Sequence, residues 1–306
     1  MSDLIQYVIN GLATGAVYSL VALGLVVIYR GTGHLNFAQG EMALFATFVA
    51  WWLYDQGLTM WFAAIVAALL SFVIGAVIEV GLMRPAGHKS PLAVVVVAIA
   101  LFQGLNSLTT LTFKGSADGL PFESLFPRKP TDFWRISDGI IWRYQHIGML
   151  VTMLVLTGLL FLLFQKTKIG LAMRMVANNP ESARLVGVNT NRMLMFSWGL
   201  SSALGAIAGV LIGGFNTNIT PATMFEIFLL ASAAATLGGL DSPLGALVGG
   251  LSLGVIKSLV SSYPNDWPGG GYIGGPTAIA VAFVIILIVL VIKPSGLFGS
   301  SRVERV

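Results

Sequence analysis

The stretch KTKIGLAMRMVANNPESARLVGVNTNR, residues 166–192, is a polar, basic interval set between two apolar runs. Its cations Lys166, Lys168, Arg174, Arg184 and Arg192 are opposed only by Glu181. Short loops rich in Lys and Arg stay on the cytoplasmic side of a membrane, so this interval is expected in the cytoplasm and orients the segments around it. It also predicts local structure. Asn178-Asn179-Pro180 is a turn and helix-start signal, Glu181 suits the electropositive first turn, and Gly187 is a natural stop. A short helix from about Pro180 to Leu185, parallel to the inner membrane face, is suited to passing motion from a soluble motor.

Working outward, the composition is that of a membrane protein. Of 306 residues, 56% are hydrophobic and 10% charged, and the mean hydropathy is +0.85, which excludes an ordinary soluble domain. The formal charge of +4 comes from basic residues beside apolar segments. That pattern predicts orientation signals next to anionic headgroups and no nucleic-acid partner. The chain has no cysteine, so a disulfide framework, a thiol nucleophile and cysteine-based metal sites are excluded. The run Leu4–Tyr29 lacks a basic leader and is longer than a signal-peptide core, so it is expected to be retained as a first helix.

About 20 mainly apolar residues span a bilayer as a helix, because every backbone polar group must be paired internally. Nine segments meet this criterion: 4–29, 35–54, 59–83, 91–113, 146–165, 192–214, 223–240, 243–263 and 272–292. The expected fold is a single all-α polytopic domain over 1–306, a bundle of about 8–9 transmembrane helices with a cytoplasmic coupling helix in 166–192. The segment 35–54 opens on His34, Asn36, Gln39 and Glu41, and is read either as a full span or as a re-entrant or broken one. Counting spans from 166–192 puts 114–145 outside and the C-terminal tail, with Lys293, Arg302 and Arg305, in the cytoplasm. The outer interval carries Pro121, Pro127, Pro130, Trp134 and Trp142 along with Asp118, Glu123, Asp132 and Asp138. It is expected either to lie along the outer membrane face or to form a mobile connector.

Glycine spacing predicts close helix packing. Gly11 and Gly15, then Gly205, Gly209 and Gly213, then Gly245 and Gly249, recur at four-residue intervals, which lets backbones approach where lipid supplies no hydrophobic drive. Catalytic constellations are lacking: there is no nucleotide-binding loop, no zinc-protease motif, and His34, His88 and His146 are far apart. No metal is expected. Polar residues within spans carry more weight, because inserting them into lipid is costly. Asn36, Gln39, Gly40, Ala43 and Thr47 form one helical stripe, assigned either to the permeation path or to a helix seam. Gln103 and Asn106 are weaker path candidates. Glu41 falls on the opposite face from the stripe, with Arg30 as a candidate partner, while Glu79 lies one turn from Arg84.

The interval at Glu181 resembles the permeases of ATP-binding-cassette importers, whose cytoplasmic loop carries an EAAxxxG pattern. Glu181, Ala183 and Gly187 keep the spacing, with Ser182 in place of the first alanine. The likeness extends to Asn36-Phe37-Ala38-Gln39-Gly40-Glu41, similar to an NFAHGE entry with Gln39 where histidine is usual. It continues through Thr167-Lys168-Ile169-Gly170 with Met173-Arg174, Ser242-Pro243-Leu244-Gly245-Ala246, and Lys293-Pro294-Ser295-Gly296-Leu297-Phe298-Gly299. Together these resemble the H-type permeases of branched-chain amino acid importers.

The resemblance implies a non-enzymatic transport subunit of a bacterial inner membrane. Its partners would be a second, M-type permease, two cytosolic ATPases that hold ATP and Mg, and an extracytoplasmic binding protein that delivers the substrate. Arg174, Glu181, Ala183 and Gly187 are then the expected contact with the ATPases. Urea and short-chain amide importers belong to the same superfamily. A secondary carrier or channel, driven by an ion gradient without an ATPase partner, is the alternative of a different class.

Overall fold

The computed structural model describes residues 2–137, 139–262 and 276–299. Asp138, the opening of the ninth segment at 272–275, and the tail cations Arg302 and Arg305 lie outside the described residues. The chain is built of helices. In order they are α1 (Ser2–Thr32), α2 (Gln39–Asp55), α3 (Met60–Ile78), α4 (Arg84–Gly87), α5 (Pro91–Thr112), α6 (Tyr144–Lys166), α7 (Lys168–Asn178), α8 (Pro180–Leu185), α9 (Thr190–Asn216), α10 (Thr223–Gly238), α11 (Pro243–Ser262) and α12 (Pro276–Ile292). A π turn, Glu79–Met83, carries α3 into α4 without a break.

Each of the nine apolar segments contains a helix, but they are not nine equal spans. Among the described residues, six helices are long and apolar enough to cross a membrane: α1, the continuous run Met60–Gly87, α5, α6, α9 and α11. Helices α2, with 17 residues, and α10, with 16, are shorter. At 1.5 Å per residue they reach about 25 Å, less than the roughly 30 Å of a hydrocarbon core.

Side chains set where the short helices begin. After Gly33 (φ +73°) ends α1, the Asn36 side-chain oxygen accepts from the Ala38 N–H at 3.0 Å, holding the chain in a turn until Gln39. Before α10, Thr217 takes a left-handed φ of +65°, and Thr223 Oγ1 accepts from the Thr220 N–H at 2.8 Å. Both turns satisfy backbone groups that an uninterrupted helix would have paired within itself.

The bundle has two ends, named here from what caps them. At the hairpin end, β2 (Phe133–Ser137) and β3 (Ile140–Arg143) form an antiparallel hairpin with Trp134 opposite Trp142. There β1 (Leu120–Pro121) also pairs antiparallel with β4 (Asn218–Ile219). The 114–145 interval is thus structured and tied down: the Ile141 N–H donates to Gln6 Oε1 at 2.9 Å and Trp51 Nε1 to the Pro121 carbonyl at 3.0 Å. At the opposite end, α7 and α8 link α6 to α9.

Helix α1 is the buried axis of the bundle, with Ala13, Ala16, Val17, Leu20, Val21 and Leu25 fully inaccessible. Its crossing with α11 is a backbone contact. A Cβ added at Gly11 would stand 2.6 Å from Val255 Cα, and one at Gly15 2.9 Å from Leu251 Cα, so either substitution forces the helices apart. The α2–α9 seam brings Gly205 against Ala43 and Gly209 against Thr47, and further along α9 Gly213 meets Phe122 and Ile219 of the hairpin end. Gly245 and Gly249 of α11 abut Gly238 and Ala234 of α10. Ser71 of α3 bonds the Ser202 hydroxyl of α9 at 2.6 Å, polar adhesion of the kind apolar helices use in lipid.

Candidate translocation and coupling sites

Helices α2 and α10 bring their N-termini together inside the bundle. Gly40, in the first turn of α2, lies directly against Phe228 of α10, where a Cβ would stand 2.8 Å from the Phe228 Cβ. Each short helix carries a glutamate in its first turn, Glu41 in α2 and Glu226 in α10, where the electropositive helix end favours negative charge.

Around Glu41 the sequence candidates separate into those the fold gathers and those it does not. Asn106 of α5 donates from Nδ2 to Glu41 Oε2 at 2.9 Å and to the Pro221 carbonyl at 3.0 Å. One amide therefore ties the entry of α2 to the turn preceding α10. Arg30 is not the partner of Glu41, because α2 turns that carboxylate toward α5. Gln39 is fully buried and donates from Nε2 to the Val21 carbonyl of α1 at 3.0 Å. Among the described residues, the second carboxylate oxygen of Glu41, Oε1, and the amide oxygen of Gln39, Oε1, are both buried without a hydrogen-bond partner. Asn36 sits beside them, its Nδ2 3.6 Å from Met42 Sδ.

Thr47 lies two turns further along α2, donating to the Ala43 carbonyl at 2.7 Å and packed on Gly209. Gln39, Ala43 and Thr47 form a seam against α1 and α9, while Gly40 faces α10. Gln103 is on another face of α5, exposed together with Ala100, Gly104, Ser107 and Thr110.

Glu226 is held differently. Lys257 of α11 donates to its carboxylate and lies 3.4 Å from the Tyr18 hydroxyl of α1. Sequence reasoning passed over Lys257, although a lysine midway along an apolar run is itself the signal, since ionisable groups within a membrane are rare and paired. Arg84 and Glu79 form the expected pair, Arg84 Nε donating to Glu79 Oε1 at 3.1 Å, and Arg84 also reaches the Asn191 carbonyl at 3.2 Å.

At the other end, α8 is a capped, stopped and pinned unit. The Asn179 side chain accepts from the Glu181 and Ser182 N–H groups, both at 3.0 Å. Gly187, at φ +85°, closes the helix with bonds from the Gly187 N–H to the Arg184 carbonyl (3.0 Å) and from the Val188 N–H to the Ala183 carbonyl (2.9 Å), the paired termination that favours glycine. Ala183 is the inward face, 2% exposed, while Leu185 is 89% and Val186 71% exposed. Arg184 Nε donates to Thr190 Oγ1 at 2.9 Å, fastening α8 to the base of α9. Arg174 is on α7, turned to a cavity beside α1 and α6 and bonded from Nη1 to Gln165 Oε1 at 3.3 Å.

Residues 7–292 match the family model described as the permease component of branched-chain amino acid transport systems. The chain belongs to this family. This permease is similar to the high-affinity branched-chain amino acid transport permease LivH of Escherichia coli K12, 29% identical over 99% of this chain and 97% of the relative. It is likewise similar to LivH of Salmonella typhimurium LT2, 30% identical over 99% and 97%, and to BraD of Pseudomonas aeruginosa, 30% identical over 99% and 98%. Family membership fits the six long apolar helices of a multi-pass membrane protein.

Proposed function

We propose that this permease is the membrane subunit of an ATP-driven importer that carries branched-chain or related amino acids across a bacterial inner membrane. The observation that carries the coupling half of the proposal is α8. A six-residue helix that is capped at both ends and buries Ala183 while presenting Leu185 and Val186 is built to be held from outside. Exposed apolar side chains grouped on a polar loop mark an interaction site. The occupant of α8 is one of two cytosolic ATPases, which hold ATP and Mg, and Glu181, Ala183 and Gly187 shape the contact.

The basic residues of 166–192 support a cytoplasmic α8 end, with Lys293 and the C-terminus on the same side. The hairpin end then faces a substrate-binding protein. A second permease chain of M type covers the exposed stripe Gln103, Gly104 and Ser107 of α5, because an amide facing lipid is unfavourable and one facing a path between two subunits is solvated. Asn36, Gln39, Gly40, Thr47 and Asn106 belong to the wall that supports this path.

Reconstitution of the complete transporter in liposomes tests the proposal. Glu181→Ala and Gly187→Val leave the chain in the membrane and reduce uptake per ATP hydrolysed at least about fivefold, a coupling loss on the order of 1 kcal/mol. Unchanged uptake in both variants removes α8 from the mechanism. Uptake driven by an ion gradient, with no ATPase co-purifying, replaces the importer with a secondary carrier.

A further inference from the structure

At the α8 end a cavity of about 730 Å³ opens between α1, α6, α7 and the start of α11. Its walls are apolar, with Leu23 and Val27 of α1 on one side and Leu154, Leu160 and Phe161 of α6 on the other. Its floor is cationic. Arg30 and Arg174 both line it and repel one another, while Asp241, also on the floor, attracts Arg30. Among the described residues, Arg174 Nε is buried there without a hydrogen-bond partner.

The depth of these groups identifies what they suit. Arg30 lies two residues before the end of α1 and Gln165 one before the end of α6, so the floor stands where helices leave the hydrocarbon. Helix α7, which supplies Arg174, buries Gly170, Met173 and Val176, exposes the apolar Ile169 and Leu171 and carries Lys168 at its start, the make-up of a helix lying in the membrane interface. From Arg30 the wall rises through Val27 to Leu23, about 10 Å into the bilayer at 1.5 Å per residue. Leu154 and Phe161 belong to the outward face of α6, more than half exposed, so the groove is open to lipid on that side.

We propose that this groove binds one anionic phospholipid, its phosphate between Arg30 and Arg174 and an acyl chain along α1 and α6. Among the described residues, two guanidiniums against one carboxylate leave an excess of positive charge, and planar forked donors match phosphate oxygens. Interhelical basic pockets at a membrane interface are suited to acidic headgroups. The inference does not depend on the importer assignment, since it requires only that the α8 end lie at a membrane surface.

The test is native mass spectrometry of the transporter purified in mild detergent and titrated with phosphatidylglycerol or phosphatidylcholine. Phosphatidylglycerol is expected to remain bound, and phosphatidylcholine to be lost at the same detergent concentration. Arg30→Gln and Arg174→Gln each weaken phosphatidylglycerol retention about fivefold, and together about thirtyfold, the effect of removing one or two interfacial cations.

Gly158 lines the groove, and a Cβ built on it meets nothing within 4 Å. Gly158→Trp is therefore expected to fill the groove and expel the lipid with both arginines intact, and to leave the thermal midpoint and subunit composition unchanged. Equal retention of both lipids, or phosphatidylglycerol retained undiminished by all three variants, overturns the proposal. So does a second permease chain cross-linking to Gly158→Cys, which makes the groove a subunit seam.

Discussion

Helices α2 and α10 are the same device built with opposite chemistry. Both are too short for a full span, both begin inside the bundle after a side-chain-stabilised turn, and both place a glutamate in the first turn. The α2 entry is sealed: Glu41 is inaccessible and meets a neutral amide, Asn106. The α10 entry is open, with the Glu226 side chain 46% exposed and paired with the ammonium of Lys257. Burial decides what each contact is worth. A buried carboxylate depends on its hydrogen-bond donor, whereas a half-exposed ion pair shares the task with its surroundings and contributes little.

That contrast is open to direct attack. The largest effect is expected from Asn106→Leu, which removes the donor from Glu41 Oε2 and the link to Pro221 together. Unfolding in mixed micelles should show a loss of about 3 kcal/mol, largely restored by Glu41→Gln in the same chain. A loss no greater than that of a surface variant would erase the distinction between the entries.

Next comes Lys257→Met, for which about 1 kcal/mol or less is expected, with Glu226→Gln/Lys257→Met near the wild type in the same assay. Should Lys257→Met prove as damaging as Asn106→Leu, the α10 entry is sealed in the membrane and the two regions are equivalent. The smallest effect belongs to Gln39→Leu. It removes one bond to the Val21 carbonyl but also an unpartnered buried oxygen, so the net change is expected within about 1 kcal/mol.

How far the sequence could be read follows from the range of the interactions involved. Helix α8 was legible because its determinants are local: Asn179 caps, Pro180 starts, Glu181 suits the first turn and Gly187 stops, all within nine residues. The apolar segments were legible because lipid imposes composition on every span. The polar opening of α2 left a full span and a re-entrant or broken one as alternatives, and the 17-residue helix agrees with the second. The truncation of α10 was not foreseen, because Thr217, Thr220 and Thr223 look unremarkable until their turn is formed.

Partners distant in sequence were the least accessible. Glu41 and Asn106 are 65 positions apart, and helical spacing alone sent Glu41 toward Arg30. Lys257 and Glu226 lay on two segments with no visible relation until α10 and α11 packed through Gly238 and Gly245.

Helix α9 is unbroken for 27 residues, roughly 40 Å, and has α8 fastened to its base by Arg184 and Thr190. In mechanical terms it is a lever with its handle at the α8 end of the bundle. A tilt of about 5° about that base displaces the far end by roughly 3.5 Å over this length, close to the diameter of a water molecule. Because Gly213 and Gly214 at that far end touch Phe122 and Ser124, the structured 114–145 segment would be carried with the stroke. A small rotation at α8 would thereby be passed on as a larger displacement at the hairpin end.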